Sequence, residues 1–582
     1  YNTSNTAYPQ GASVPSSISR TYTNDSYWSL NLYSSYEFRI NNDHNFNLMG
    51  GVQYEKGKIN QMSGSKTDMI SAEVPSFQTS TGTSLLSEYL AHNATEGLFG
   101  RLSYNYKERY LLESNARYDG SYVFRQGKRW GFFPSISAGW NVHNEPFWNI
   151  PETSISTLKF RASWGQLGNQ NISPYSDLEL VPINTGKLNW IFKYGDIRPV
   201  GYTQAPGIVN RNLTWETATT QNVGVDISFL KNRLQTNIDL YQRVTTNMVG
   251  PSQARPGVLG ASVPRDNNST LRTRGFDFNL TWRDMLNNGL SYFVGLNLSD
   301  NKSVIMDYYN PTGTLSTWSE GRELGEIWGY TVYDLYRTQQ QVDDHLATTD
   351  LSFLGRNWRP GDVKYEDTNG DGKVNRGKYT IDDHGDLSII GNSEPHWVYG
   401  LNAGFDYKGF DFSMLLRGVA KREIYFDRNS NIYWGLGWGW WESSVQKRNL
   451  DYFRDEPGTK YVGLYEGDAN KNTDAYWPRP YFNGTKESQN KNNPNTRYLV
   501  DASYFRIQNL QFGYTLPKNL TTRLSLQSIR LYLSGENLLT LTDIPNGIDP
   551  IATYGFYGGS TVNGRLTYGA DRVYSLGIKI TY

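Results

Sequence analysis

Apolar and polar residues alternate with period two along much of this chain. Within 290–298, Leu290, Tyr292, Val294, Leu296 and Leu298 share one face, and Ser291, Gly295 and Asn297 take the other. Within 397–407, Trp397, Tyr399, Leu401, Ala403, Phe405 and Tyr407 alternate with Gly400, Asn402, Gly404 and Asp406. After Lys408-Gly409, Phe410, Phe412, Met414 and Leu416 alternate with Asp411, Ser413 and Arg417, so two long strands and a tight hairpin are predicted. The same pattern marks 98–106, 110–118, 223–229, 234–240, 276–282, 510–516 and 529–533. The first 26 residues read as a polar loop and the first strand as 27–40. No stretch holds a helical period over three or more turns.

The joins between strands differ in length. Lys107-Glu108, Lys231-Asn232 and Lys408-Gly409 are minimal turns, whereas polar stretches near 57–96, 166–210, 304–395 and 422–497 read as very long loops. Compact soluble domains rarely carry structureless loops of that size. Outer-membrane barrels pair short periplasmic turns with long extracellular loops. A soluble sandwich, β-helix or propeller would show shorter strands or a blade repeat. The last segment, DRVYSLGIKITY, puts Tyr574, Leu576, Ile578, Ile580 and Tyr582 on one face, in a strand long enough to span a bilayer. In a soluble protein such an edge would aggregate.

Composition sharpens this. Lys+Arg and Asp+Glu are both 56, so the chain lacks the basic excess of a nucleic-acid binder. Cysteine is absent, which removes disulfides and thiolate chemistry, and the six histidines include no HExxH pair. Mean hydropathy is −0.61 and no apolar run reaches the ~18 residues of a spanning helix. A transmembrane barrel gives the same low value because only alternate residues face lipid. Aromatics reach 14%.

Several blocks resemble SusC/RagA-type TonB-dependent outer-membrane transporters of Bacteroidota. They are RYLLESNARYDGSYVF with RWGFFPSISAGW, LKFRASWGQLGNQNISPY, NLTWETATTQNVGVDISFLKNRLQTNIDLYQRVTTNM, GDVKYEDTNGDGKV, DLSIIGNSEPHWVYGLNAGFDYKGFDFSMLLRG, and a tail from YLVDASYFRIQNLQFGYTLP through RLYLSGENLLTLT and NGIDP to the terminal strand. The resemblance covers most of the chain, in the family's order. It implies an all-β transmembrane antiparallel barrel of the plugged transporter type, in the outer membrane of a Gram-negative bacterium. It also implies import of a bulky nutrient, an oligosaccharide or a peptide, energised through TonB. A SusD-type surface lipoprotein would close over the mouth, and a homodimer of transporter–lid pairs is a further implied assembly. The family's N-terminal extension, TonB box and plug have no counterpart here. The chain therefore reads as the C-terminal part of a longer transporter, with about 16 strands where plugged barrels have about 22.

Two constellations carry candidate chemistry. Asp367, Asn369, Asp371, Gly372 and Lys373 match positions 1, 3, 5, 6 and 7 of a D-x-[DN]-x-[DN]-G calcium loop. Alternate hard oxygens can converge on one Ca²⁺, with the Lys373 carbonyl as a further ligand. Position 12 is Lys378 rather than Glu, so an EF-hand is excluded. The acid that closes the loop would be Asp386 or Asp383, as the resemblance implies. The competing reading is a solvated Asp/Asn/Gly turn. The second constellation is Trp434, Trp438, Trp440 and Trp441 in YWGLGWGWWE, whose indoles could stack on sugar rings, pack against a lid or anchor at an interface. Carboxylates are scattered, no GxSxG occurs and no Lys-Ser/Thr follows the glycine-rich runs, so no enzyme is expected. A surface glycan-binding protein without transport is the alternative reading.

Overall fold

In the computed structural model the described residues are 16–582, except 72, 174, 175, 177, 182, 194, 195, 204, 205, 257, 259–262, 427–430, 435–446, 461, 482, 483, 556–560 and 563–568. Fifteen long strands form one antiparallel sheet, each beside the next in chain order. They are β1 Ser17–Ile40, β2 His44–Thr67, β3 Ser84–Tyr106, β4 Tyr110–Ser121, β5 Trp130–Asn141, β6 Ile155–Asn169, β7 Glu216–Phe229, β8 Leu234–Gly250, β9 Asp266–Met285, β10 Ser291–Asp307, β11 His396–Tyr407, β12 Phe410–Lys421, β13 Tyr504–Thr515, β14 Ser528–Thr542 and β15 Val573–Thr581. The sheet thus has one strand fewer than the count expected from chain length. Among the described residues no helix is long and apolar enough to cross a membrane. The longest is α1, Gln339–Thr348, whose first turn is capped by the Thr338 hydroxyl accepting from the Gln341 N–H.

β1, β2 and β3 have 24, 24 and 23 residues, more than twice what spans a bilayer. Two expectations are corrected here. Residues 17–26 are strand rather than loop, and of the stretch 57–96 only 68–83 connects strands. Asn, Gln, Ser and Lys occupy both faces there, so the period-two signal vanishes while the backbone ladder continues. The other long stretches also hold structure of their own. A hairpin of Ile183–Lys193 with Asp196–Thr203 lies in the second. In the third, Glu326–Tyr330 pairs with Leu387–Asn392, and Val332–Leu335 with Val363–Tyr365. In the fourth, Glu423–Phe426 pairs with Leu499–Asp501. Lys408-Gly409 stands as a two-residue turn, both with positive φ, 49° and 88°, while the join at Lys107-Glu108 takes three residues, 107–109, and the one at Lys231-Asn232 takes four, 230–233, longer than expected.

Contacts divide the chain into two compact units, 1–139 with 163–220 and 245–268, and 140–162 with 221–244 and 269–582. The first has a small core of Val123, Phe124, Phe133 and Trp215. Gly168 is required there, since a Cβ would stand 2.1 Å from the Phe133 ring. The second unit has a much larger core, built mainly from the loops between β10 and β11, β12 and β13, and β14 and β15. Tyr330, Leu335, Tyr336, Leu351, Val363, Tyr365, Tyr425, Phe426, Tyr433, Phe453 and Tyr498 are all buried in it. Burying a side chain such as Phe426 or Phe453 contributes about 2 kcal/mol. The phenols keep their hydrogen bonds by donating to backbone carbonyls: Tyr365 to Gln489 at 2.7 Å, Tyr425 to Asn493 at 3.0 Å and Tyr498 to Tyr476 at 3.0 Å. Burial pushes all three hydroxyls above their ordinary range, so they remain donors.

Candidate functional site

Strand register decides what each face of the sheet can meet. In the second unit, Phe405, Phe412, Phe512, Leu533 and Leu576 stand in one row across five strands. Neighbouring rows on the same face are Phe410, Tyr514, Leu531 and Ile578, then Leu401, Leu416, Ile507 and Leu539, then Tyr399, Gly418, Phe505 and Leu541. The opposite face carries Gly404, Ser413, Gln511, Ser534 and Ser575 in one row, and Asn297, Gly400, Arg417, Arg506 and Thr540 in another. The first unit repeats this, with Leu32, Val52, Leu98 and Tyr118 in one row and Phe38, Phe46, Tyr104 and Leu112 in another. The apolar face is uncovered: Leu576 is 78% exposed and Leu533 59%. Uncovered apolar area on this scale needs a nonaqueous neighbour. Aromatic rings gather where β2–β4 and β11–β13 meet their short turns, as in Tyr106–Tyr110 and Phe410–Tyr514, the pattern of an interfacial girdle.

The polar face holds charge in neutralised clusters. Arg161 on β6 forks onto Asp226 of β7 at 2.8 and 2.9 Å and onto Asp239 of β8 at 2.9 and 3.0 Å. Arg530 on β14 reaches Asp411 on β12 through Nε at 2.8 Å. Such planar pairing favours arginine over lysine.

The expected calcium turn lies in the β10–β11 loop. Both Asp367 carboxylate oxygens accept backbone N–H bonds, from Gly370 at 2.7 Å and Gly372 at 2.8 Å. Asn369 accepts from Asp371 N–H and Asp371 from Lys373 N–H, each at 2.9 Å. Asp386 is fully buried and ties the two limbs, accepting from Thr368 and Asn375 N–H groups at 2.8 Å each. Asp383 points elsewhere, 3.6 Å from Lys378 Nζ. Among the described residues, no group of three or more His, Cys, Asp or Glu is gathered to hold a metal. The donors are hard oxygens of the type calcium takes, and a carboxylate oxygen that accepts one N–H keeps a lone pair.

Trp434 is placed differently from a sugar platform. It is buried at 3% exposure, donates Nε1–H to the Phe426 carbonyl at 3.2 Å and packs edge-on against Tyr433, Trp477 and Tyr498. An indole with both faces covered cannot stack on a ligand. Trp438, Trp440 and Trp441 lie outside the described residues.

A family model described as TonB dependent receptor-like, beta-barrel, matches residues 1–538. The chain belongs to the TonB-dependent receptor family. Among curated relatives, TonB-dependent receptor P3 of Formosa agariphila is 29% identical over 88% of this chain and 47% of its own length. TonB-dependent receptor SusC of Bacteroides thetaiotaomicron is 27% identical over 79% of this chain and 42% of its own. The chain thus spans about half the length of these relatives. The structure of the RagAB peptide importer in its open-open state shares the fold, with a TM-score of 0.76 at 19% identity, over 99% of this chain and 56% of that one. For a TonB-dependent receptor, the two-faced sheet is a barrel wall with lipid on the apolar side.

This receptor also carries a feature that sequence reasoning missed. A cavity of about 1010 Å³ opens among the loops, with Tyr476 and Trp477 on its wall and Lys447, Asp501 and Asp543 around it. Among the described residues, Lys447 and Asp543 have no side-chain hydrogen-bond or ion-pair partner, and the Asp501 carboxylate accepts only from Ser503 N–H, at 2.8 Å. These residues come from distant points of the β12–β13 loop and from the β14–β15 loop, so no local motif announces them.

Proposed function

We propose that this chain is the barrel part of an outer-membrane transporter that imports a bulky nutrient, energised through TonB and served by a SusD-type lipoprotein lid. The observation that carries the reading is the row-by-row separation of an uncovered apolar face from a polar face, in a chain of this family. No catalytic role is proposed. The ordered loop core would give the lid a preformed surface and hold the cavity open. Oligosaccharide import is the first reading, resting on the exposed Tyr476 ring at the cavity wall, which can meet a sugar face. Peptide import is the second, favoured by the cavity, where unpaired Lys447 and Asp543 offer both charge signs beside Tyr476 and Trp477. A peptide presents both signs; a neutral glycan presents neither. Calcium is proposed for the loop turn, where Asp367, Asn369, Asp371, the Lys373 carbonyl and Asp386 would hold it and brace the loop.

The test uses the full-length protein. It should run as a compact band on unboiled SDS gels, shift on boiling, and co-purify from outer membranes with a lipoprotein. Purified with that partner, it should bind either a tryptic peptide pool or a polysaccharide-derived oligosaccharide pool. Appearance in the soluble fraction would refute the transporter reading. Binding without uptake by cells expressing the full-length protein would favour the glycan-binding alternative.

A further inference from the structure

The outer end of β9 and β10 carries a feature that neither transport nor loop packing uses. On the apolar face, Phe278 pairs with Leu298 and Phe276 with Asp300; the next two rows are Arg274 with Lys302 and Arg272 with Val304. The apolar band therefore ends in a step of three cations. Its last aromatic pair is Phe276 with Trp397, ring centres 5.7 Å apart, the type of contact that marks an interface. Arg274 is exposed and steadied from one side, donating Nε–H to Gln242 at 2.6 Å, which leaves its terminal nitrogens unbonded. Among the described residues the Arg272 side chain has no hydrogen-bond or ion-pair partner. Lys302 pairs with Glu323, Asp300 accepts from His396 Nδ1 at 2.8 Å, and the next row outward sets Thr270 against an exposed Asp307. Deeper on this face, the row from Leu298 through Tyr399, Gly418 and Phe505 to Leu541 and the row from Phe405 to Leu576 carry no charge.

The geometry points to an anionic headgroup site: Arg272 and Arg274, flanked by Lys302, take a phosphate of an outer-leaflet glycolipid whose acyl chains lie along Phe276, Phe278 and Leu298. The lipid is favoured over a free phosphate because the cations adjoin the apolar band on its own face. A soluble anion gains nothing from that placement. Guanidinium forks suit phosphate better than ammonium groups do. The inference rests on reading this face as the lipid-facing one.

The experiment compares full-length protein with the Arg272→Gln, Arg274→Gln double variant, in detergent, by native mass spectrometry with diphosphorylated lipid A. A basic group near an anionic surface is worth roughly a fivefold change, so the double variant should bind about twenty-fivefold more weakly. Dephosphorylated lipid A should bind both proteins alike and weakly. Equal binding of the two lipids to the parent, or unchanged lipid A binding by the variant, overturns the proposal. Displacement of bound lipid A by inorganic pyrophosphate at equal concentration would make it a free-anion site and overturn the lipid assignment. Heat-modifiable mobility of both proteins reports separately on the barrel. Its loss in the parent would refute the membrane reading, and its loss in the variant alone would move the test to Arg272→Lys, Arg274→Lys, which should fold and retain most lipid A binding.

Discussion

The change Leu533→Arg puts a charge into the middle of the apolar face. Leu533 is 59% exposed and sits in the row of Phe412, Phe512 and Leu576, with the Leu531 row on one side and the Leu539 row two steps away on the other. At that depth in a barrel wall an outward arginine costs about 2–4 kcal/mol. Taking about 3 kcal/mol, the folding equilibrium in lipid falls roughly 150-fold. For a soluble protein the same exposed position would tolerate arginine within about 0.5 kcal/mol. The matched control is Ser534→Arg, one residue along and on the polar face, paired with Ser575. Urea titration of the full-length transporter in lipid vesicles, read by the unboiled-gel mobility shift, measures both. Leu533→Arg should lose stability while Ser534→Arg stays close to the parent. Equal tolerance of the two substitutions would refute the assignment of the faces.

Other outcomes follow from the loops. Asp362 is fully buried and held by Lys486 at 2.7 Å, so Lys486→Met should strand its charge and cost about 3 kcal/mol, seen as earlier thermal proteolysis of the loops, while adding Asp362→Asn should recover most of it. For the Asp549 carboxyl, burial pushes its pKa up, but the Arg506 guanidinium and the Ala570 and Ile551 N–H groups outweigh this and hold it below its ordinary value. That stabilisation is present above the unfolded pKa of about 3.9 and is lost as pH falls through the lower folded value, so nicking around Asp549 should rise only below about pH 4, with an earlier onset in Arg506→Met. For the proposed calcium turn, Asp367→Ala with Asp371→Ala should raise protease nicking between 361 and 391 in calcium buffer, and chelator should do the same to the parent; insensitivity of the parent to chelator would remove the metal.

Much of the sheet was legible because lipid and lumen impose opposite demands on alternate residues. Leu401, Ala403 and Phe405 against Gly400, Asn402 and Gly404 could be read as one wall strand without any neighbour. The outer halves of β1–β3 were not legible, because both faces there meet water: Asn24, Asn60 and Leu90 share one row, and Thr23, Gln61 and Tyr89 the next. Trp434 was misplaced for a related reason. Glycine-spaced indoles look the same in sequence whether they meet a ligand or a core, and the deciding partners, Trp477 and Tyr498, lie 43 and 64 positions away. Asp383 and Asp386 were equivalent by spacing. The structure separates them, since only Asp386 is buried with N–H donors from both limbs of the turn.

The aromatic excess has two causes that composition alone cannot separate. On the sheet, rings such as Phe410, Phe512 and Tyr574 are uncovered and serve a nonaqueous surround. In the loops, Tyr336, Tyr365, Tyr425, Tyr433 and Tyr498 are buried and serve a core of ordinary protein type. Loops of this length would otherwise lose about 1–2 kcal/mol of backbone conformational entropy per residue with nothing to offset it. The loop core supplies the offset by burial, and the phenol-to-carbonyl bonds satisfy irregular backbone that no sheet ladder reaches. The wall and the loop core therefore obey different solvents. Damage to the loop core should release the cavity while the strands stay in the membrane. Damage to the lipid face should do the reverse, removing the protein from the membrane before the loops have any chance to act.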